Sequence, residues 1–88
     1  MAKSIHSDPY RALLDLVRSL RMDAGLSQTE LARRLARSQT FVSKVELGER
    51  RLDVEELRQV CDALEVDLLD VVARWLDQIR SKRPRRRP

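Results

Sequence analysis

Four polar side chains, Gln39, Thr40, Ser43 and Lys44, lie close together in the middle of the chain. Their spacings of three and four residues are those of neighbours on one face of a helix. Apolar Val42 alternates with them and would face the other way. Amide, hydroxyl and ammonium groups donate and accept hydrogen bonds, which is an unusual choice for a helix that only fills a core. The pattern therefore favours recognition of a polar partner by hydrogen bonding.

Other kinds of chemistry have little support in the composition. One cysteine (Cys61) and one histidine (His6) leave nucleophilic catalysis and metal binding without the side chains they need. The carboxylates fall at helix caps and on solvated helix faces, and no Gly-rich phosphate loop occurs. We therefore expect no enzyme, cofactor, metal or small-molecule ligand. Cys61 lies on an apolar stripe, which predicts a reduced thiol in the core. A reduced thiol, with no signal peptide or membrane span in the sequence, leads us to expect a cytoplasmic protein.

The distribution of charge is more informative than the net charge of +4. Residues 80–88 hold six of the 18 basic residues and no acid. Residues 28–51 carry six basic against three acidic residues, whereas residues 52–79 carry two basic against eight acidic ones. A positive middle, an acidic C-terminal half and a basic tail suit a protein that docks one face on a polyanion.

Hydrophobic spacing and capping residues predict five helices within a single domain over residues 9–80, after a flexible N-terminus at 1–8 and before a disordered basic tail at 81–88. Asp8-Pro9 reads as the cap and first residue of a helix that ends at Gly25. Two capping boxes, starting at Ser27 and Asp53, begin the second and fourth helices. The third helix is expected over Gln39–Leu47 and the fifth over Leu68–Arg80. The inner stripe of the fourth helix is expected to comprise Val54, Leu57, Val60, Cys61 and Leu64.

Residues 28–47 have the pattern of two short helices joined by a tight turn. Ala32 is small at the point where the second helix of the pair must cross the first. Leu31 and Leu35 from one helix, with Val42 and Val45 from the other, would hold both to the body of the domain. The polar face described above is then left outward.

The order and spacing of these residues resemble the phage repressor and Cro-like helix-turn-helix family, also called the Xre family. The matching stretches are LSQTELA at 26–32, SQTFVSKVE at 38–46 and LGERR at 47–51, and the resemblance covers roughly residues 10–72. It implies an all-α, five-helix, lambda-repressor-like DNA-binding domain that regulates transcription. One position departs from the family: its first turn residue is usually Gly with positive φ, and here it is Ala36. Keeping that geometry would cost about 1 kcal/mol, unless the turn shifts.

The resemblance also implies which residues contact DNA. In this chain they are Gln28, Arg37, Ser38, Gln39, Thr40, Ser43, Lys44, Arg50 and Arg51. Gln28 would bind phosphate together with the free N–H groups of its helix. Gln39 would pair with the adenine edge and Lys44 with guanine in the major groove. Thr40 would meet a thymine methyl group or a phosphate, and the arginines would hold phosphate.

Several of these residues have a plainer interpretation. Ser38 is also a good N-cap, and Ser43 can hydrogen-bond back within its helix. Phe41 is expected to be core or an apolar ledge against the sugar-phosphate wall.

Helix five suggests a second protein surface. Leu68, Val72, Trp75 and Ile79 fall on one line, with further apolar residues on both flanks, so the apolar arc spans roughly 160°, wider than one small core needs. We expect Val72, Trp75, Leu76 and Ile79 to form a homodimer interface. The alternative is that this helix only covers the core of its own chain.

These features predict a homodimer that binds a palindromic operator in double-stranded DNA, with half-site centres about one helical turn apart, and that acts as a repressor or autoregulator. The basic tail would add non-specific phosphate affinity, reach into a minor groove or have no function. Two other functions remain open: a protein–protein adaptor with the same fold, and an RNA-binding module that uses the arginine tail.

Overall fold

A computed structural model describes residues 8–82, and this part of the chain forms five α-helices and no strand. They are α1 (Asp8–Asp23), α2 (Gln28–Leu35), α3 (Gln39–Leu47), α4 (Val54–Leu64) and α5 (Leu68–Lys82). The predicted all-α, five-helix fold is confirmed. No helix in the described range is both long enough and apolar enough to span a lipid bilayer.

Side-chain caps begin four of the helices, and at the start of α5 Asp67 accepts the N–H of Asp70 at 3.1 Å. Ser27 and Asp53 each accept a hydrogen bond from the backbone N–H of the third helical residue, and Glu30 and Glu56 complete the two capping boxes. Ser38 caps α3 in the same way, accepting from the N–H of Phe41 at 3.1 Å. Because these caps satisfy N–H groups that a helix leaves unpaired, they define where each helix starts.

The outer ends of the first and last helices differ slightly from the sequence prediction. Helix α1 begins at Asp8, one residue earlier than expected; Pro9 is still in the first turn, where its missing N–H has no helical partner. Helix α5 continues to Lys82 rather than Arg80, and the Ser81 hydroxyl donates to the carbonyl of Gln78. Residues 1–7 and 83–88, including most of the expected flexible N-terminus and basic tail, lie outside the described residues.

The core is built around α1, which packs against α3 and α5, while α2 packs across α3 and against α4. Its most deeply buried large side chains are Leu14, Leu31, Val71 and Cys61. Burial raises the pKa of the Cys61 thiol to about 11, so the thiol stays protonated at neutral pH. The expectation of a core thiol is confirmed.

Val54 does not belong to the inner stripe of α4. Its side chain is 72% exposed, whereas Leu57, Val60, Cys61 and Leu64 are buried. The stripe is centred between Leu57 and Leu64, and Val54 lies at its edge in the first turn of the helix, where no neighbour covers it. The sequence prediction was wrong at this residue because periodicity alone does not show how far a neighbouring element extends.

Helix α5 uses only part of its apolar arc inside the chain. Val71 is 1% exposed, and Leu68 and Trp75 pack against the core beside it. The Trp75 indole N–H donates to the carbonyl of Pro9 at 2.7 Å, which ties α5 to the start of α1. Leu69 and Leu76 remain exposed on the other side of the arc.

Ala36 keeps the left-handed geometry that the turn between α2 and α3 requires. Its φ is 57° and its ψ is 40°. In this conformation its N–H reaches the carbonyl of Arg33, and the N–H of Arg37 reaches the carbonyl of Ala32 at 2.9 Å. The turn has not shifted to relieve the strain. Residues other than glycine are disfavoured in the left-handed region, because their Cβ atom clashes with the backbone.

A buried ion pair connects the end of α1 to α3. The Nε of Arg21 lies 2.7 Å from an Oε of Glu46, and the two side chains are 9% and 6% exposed. A second N–H of Arg21 donates to the Leu26 carbonyl at 2.7 Å. Both charges are therefore paired and hydrogen-bonded, which is the condition under which buried charges are tolerated.

We predict that Ala36→Gly stabilises the domain. Relief of left-handed strain, about 1–2 kcal/mol, is partly offset by the extra freedom that glycine gives the unfolded chain, so the net gain should be about 0.5–1 kcal/mol. Urea unfolding measures it. The matched control is Ala73→Gly, at an exposed position inside α5, which should lose up to about 1 kcal/mol. If Ala36→Gly is no more stable than the parent, the conclusion that the Ala36 backbone is strained is wrong.

We also predict that Arg21→Met destabilises the domain by about 3–5 kcal/mol, because Glu46 would be left as an unpaired buried charge. Adding Glu46→Gln should recover part of the loss, since the remaining group is neutral. Thermal and urea unfolding measure both. Arg58→Met, which breaks an exposed pair with Glu55, is the control and should change stability little. Equal losses at Arg21 and Arg58 would contradict a special role for the buried pair.

Candidate nucleic-acid interface

Helix α3 presents the polar face that the sequence predicts. Gln39, Thr40 and Lys44 are exposed and Ser43 is half-buried, while the opposite face of the helix is buried in the core. Gly48 ends the helix in a left-handed conformation (φ 85°), which returns N–H groups to the carbonyls of the last turn. The helix is thus held from its inner face and at both ends, leaving the row of hydrogen-bonding groups outward.

A chain of hydrogen bonds leads from the buried ion pair to the start of α3. The Gln28 amide nitrogen donates to Glu46 at 2.9 Å, and the Gln39 amide nitrogen donates to the Gln28 amide oxygen at 2.7 Å. The Arg21 guanidinium donates to both carboxylate oxygens of Glu46 from the far side. Two predicted DNA contacts, Gln28 and Gln39, are therefore brought together and linked to the interior.

The carboxylate of Glu46 gives this chain its direction. An ionised carboxylate only accepts hydrogen bonds, so Gln28 must turn its NH₂ group towards Glu46 and its oxygen towards Gln39. Gln39 must then donate one N–H to Gln28. Its second N–H and its carbonyl oxygen are left for an external partner, which is the donor and acceptor pair that the N7 and N6 edge of adenine requires.

A second cluster forms where the turn before α3 meets the loop after it. The guanidinium carbons of Arg37 and Arg50 lie 4.2 and 5.1 Å from the centroid of the Phe41 ring. Both arginines also contact Glu56, at 3.4 Å from Arg37 and 2.6 Å from Arg50. Hydrogen bonds from Arg50 and from the backbone of Asp53 lower the pKa of Glu56 to about 2, so it is ionised at neutral pH.

Phe41 is thus half-buried and lies against two guanidinium groups, as an apolar support rather than a side chain free to stack on bases. Arg51, also predicted to hold phosphate, lies with its guanidinium 4.3 Å from the Tyr10 ring centroid. The Tyr10 hydroxyl accepts the N–H of Leu52 at 3.2 Å, which holds the loop after α3 against α1. The loop arginines are partly exposed but not loosely attached.

Three residues that hold the candidate interface in place were not predicted from the sequence: Arg21, Glu46 and Glu56. Arg21 follows Val17 by four residues and so falls on the apolar stripe of α1, where a cation needs a buried partner. Glu56 was recognised only as half of a capping box. Of the three acids in the positive stretch 28–51, Glu46 and Glu30 are both taken up by internal hydrogen bonds.

The described residues hold no group of three His, Cys, Asp or Glu side chains arranged to bind a metal ion. The geometry instead offers exposed amides, hydroxyls and cations on and beside α3, which suits a large polar partner.

Comparison with known proteins agrees with this geometry. A family model described as a helix-turn-helix domain matches residues 12–75. An XRE-family like protein from Pseudomonas syringae pv. tomato str. DC3000 is 44% identical with a TM-score of 0.79, over 84% of this chain and 90% of that one. The clp gene regulator ClgR from Corynebacterium glutamicum is 30% identical with a TM-score of 0.73, over 84% and 96% of the two chains.

The wild-type restriction-modification controller protein C.Esp1396I shares the fold alone: it is 22% identical with a TM-score of 0.77, over 84% of this chain and 97% of that one. A search of curated protein sequences finds no match. The helix pair α2–α3, its outward polar face and the family match over most of the chain lead to one conclusion: the protein belongs to the XRE family of helix-turn-helix, DNA-binding transcriptional regulators.

Proposed function

We propose that the chain is a sequence-specific repressor or autoregulator that binds a palindromic operator in duplex DNA as a homodimer. The observation that carries the proposal is the oriented pair Gln28–Gln39. The ion-paired Glu46 sets its direction, so the Gln39 amide is held in one orientation at the exposed start of α3. Because the Gln39 amide is already oriented before binding, it would lose little conformational entropy on contact with a base. Its fixed donor and acceptor would also disfavour a base with the wrong pattern.

Lys44 extends this reading surface by one turn. It lies on the outward face of α3 and is exposed, so its ammonium group can approach guanine O6 and N7 while Gln39 meets adenine. Thr40, Ser38 and Ser43 lie on or beside the same face, and Ser38 already accepts the N–H of Phe41 as a cap. We therefore assign base reading first to Gln39 and Lys44, and assign positioning and secondary contacts to the hydroxyls.

Phosphate contacts are proposed for both sides of this face. Gln28 lies at the start of α2, where free N–H groups favour an anion. Arg37 precedes α3, and Arg50 and Arg51 follow it. The three guanidinium groups would place positive charge on both flanks of the reading helix, a distribution that positions a protein on the backbone without reading sequence.

Dimerisation is proposed through the part of α5 that its own chain leaves uncovered. Leu76 is 36% exposed and Val72 and Ile79 are half-buried, beside Trp75, whose indole N–H is already used by Pro9. One α3 reads few base pairs, and two-fold pairing doubles the site. Apart from Asp53 and Glu56 at the start of α4, the acidic residues of 52–79 would then lie on the side away from the DNA backbone.

We predict that Gln39→Ala and Lys44→Ala each relax specificity at one base pair by about 1–3 kcal/mol. Selection of bound duplexes from a random pool, repeated for each variant, measures this and also gives the half-site, spacing and symmetry. Gln59→Ala, which removes an amide that bonds to Glu55 on α4, is the control and should keep the parent preference. Unchanged preference in both test variants would contradict the assigned roles. Selective capture of single-stranded RNA, or no nucleic acid at all, would favour the RNA-binding or adaptor function instead.

We predict that Leu76→Asp combined with Ile79→Asp converts the dimer to a monomer, because buried carboxylates at the centre of an apolar interface would be unpaired. Light scattering at micromolar protein measures the mass. Affinity for a full operator should fall towards that for an isolated half-site. Val54→Asp, at an exposed apolar position where a helix start favours an acid, is the control. A parent chain that is monomeric at these concentrations would contradict the interface.

A further inference from the structure

The cluster of Arg37, Phe41, Arg50 and Glu56 joins four parts of the chain that are separate in sequence. They are the turn before α3, α3 itself, the loop after α3 and the first turn of α4. Both Nη nitrogens of Arg50 contact Glu56, one to each carboxylate oxygen, at 3.0 and 2.6 Å. Arg37 adds a third contact to the same carboxylate at 3.4 Å. One carboxylate thus holds two arginines that flank α3 in the sequence.

Glu56 lies behind the arginines. Its side chain is 11% exposed, against 38% for Arg37 and 41% for Arg50. Its Oε1 also accepts the N–H of Asp53 at 3.0 Å, and its own N–H donates to the Asp53 carboxylate at 2.7 Å. The carboxylate is therefore locked by the start of α4 on one side and presents its charge to the guanidinium groups on the other.

The two guanidinium groups keep donors for an external anion. A guanidinium has five N–H groups, and Arg37 uses only one nitrogen on Glu56. Arg50 donates twice to Glu56 and once to the Arg51 carbonyl, which leaves its Nε–H and one N–H of Nη2. The Phe41 ring supports a planar face of each group, so the side chains lose little further freedom when they bind an anion. Within the cluster two cations face one carboxylate, and the nearby Asp53 carboxylate, which also acts on Arg50, is offset by the adjacent Arg51.

We propose that Glu56 is a positioning residue that holds Arg37 and Arg50 against Phe41 as a preformed clamp for a backbone phosphate of the DNA. The inference rests on the proposed DNA-binding function and adds to it a residue that does not touch DNA. The carboxylate would also repel the phosphate, but it is shielded by the two guanidinium groups in front of it and by solvent. Without Glu56, Arg37 and Arg50 would lose the fixed positions from which they donate to the phosphate. We therefore expect this loss to exceed the gain from removing the repulsion between Glu56 and the phosphate.

Glu56→Gln tests the clamp because glutamine still serves in a capping box, so α4 keeps its start while the ion pair is lost. The matched control is Glu55→Gln, which removes the same charge from the adjacent residue, where the carboxylate binds Arg58 and Gln59 instead. Anisotropy titrations would use the selected operator, a scrambled duplex and a set of operators that each carry one neutral methylphosphonate in place of a phosphate.

The parent chain and Glu55→Gln should lose affinity at the clamped phosphate when it is made neutral. Glu56→Gln should bind the intact operator about tenfold more weakly and should no longer respond to that one substitution, because a charge-assisted contact has been lost. Affinity for the scrambled duplex should fall by a similar factor, because a phosphate contact reads no sequence. In addition, Arg50→Ala should remove the same methylphosphonate response, and adding Glu56→Gln to it should cost little more. This cycle remains informative if Glu56→Gln is less stable.

Two outcomes would overturn the clamp and leave the DNA-binding function standing. One is a Glu56→Gln variant that binds the intact operator as tightly as the parent, and the other is a variant that keeps the parent's full response to the methylphosphonate substitutions. Additive losses in the Arg50 cycle would have the same consequence. A parent chain that binds no duplex would instead overturn the DNA-binding function and the clamp together. The two failures are therefore distinguishable.

Discussion

The buried pair Arg21–Glu46 is the interaction on which the outward polar face of α3 depends. It spans α1 and α3 with both side chains nearly inaccessible to water. A buried ion pair contributes little net stability, because desolvation offsets most of the attraction, but it tolerates few alternative geometries. The fixed position of Glu46 also orients side chains at the surface. Its carboxylate only accepts hydrogen bonds and so orients the Gln28 amide, which in turn orients the Gln39 amide. The interior thereby determines which donor and acceptor the surface presents.

Strain at Ala36 belongs to the same arrangement. The steep crossing of α2 and α3 needs a left-handed residue at the end of α2, and alanine adopts it at a cost of about 1–2 kcal/mol. Burial of Leu31, Ala32, Val42 and Val45 between the helices and the body holds the turn in place. Together these burials contribute more than the strain costs, since a buried valine or leucine side chain alone is worth about 1.5–3 kcal/mol. Packing therefore prevails over local preference.

Acidic residues support the positive surface from behind. Glu46 orients the amide pair, and Glu56 gathers Arg37 and Arg50 beside Phe41. A count of charges treats these acids as a reduction of affinity for a polyanion. Under the proposed function, an approaching phosphate would meet the cations first, because the acids lie behind them. Glu56 limits the conformations of Arg37 and Arg50, and Glu46 limits those of the amide pair. The same residues therefore lower the net charge and improve the definition of the surface.

The sequence by itself determined the five helices, nearly all of their ends and the outward face of α3, because caps and apolar periodicity act over three or four residues. It did not determine that Val54 would be exposed, nor that Arg21 would meet Glu46 and Arg50 would meet Glu56. Arg21 and Glu46 lie 25 residues apart, and whether such side chains meet depends on how helices cross. Only the tertiary structure sets those crossings, so the support behind the reading face was decided there.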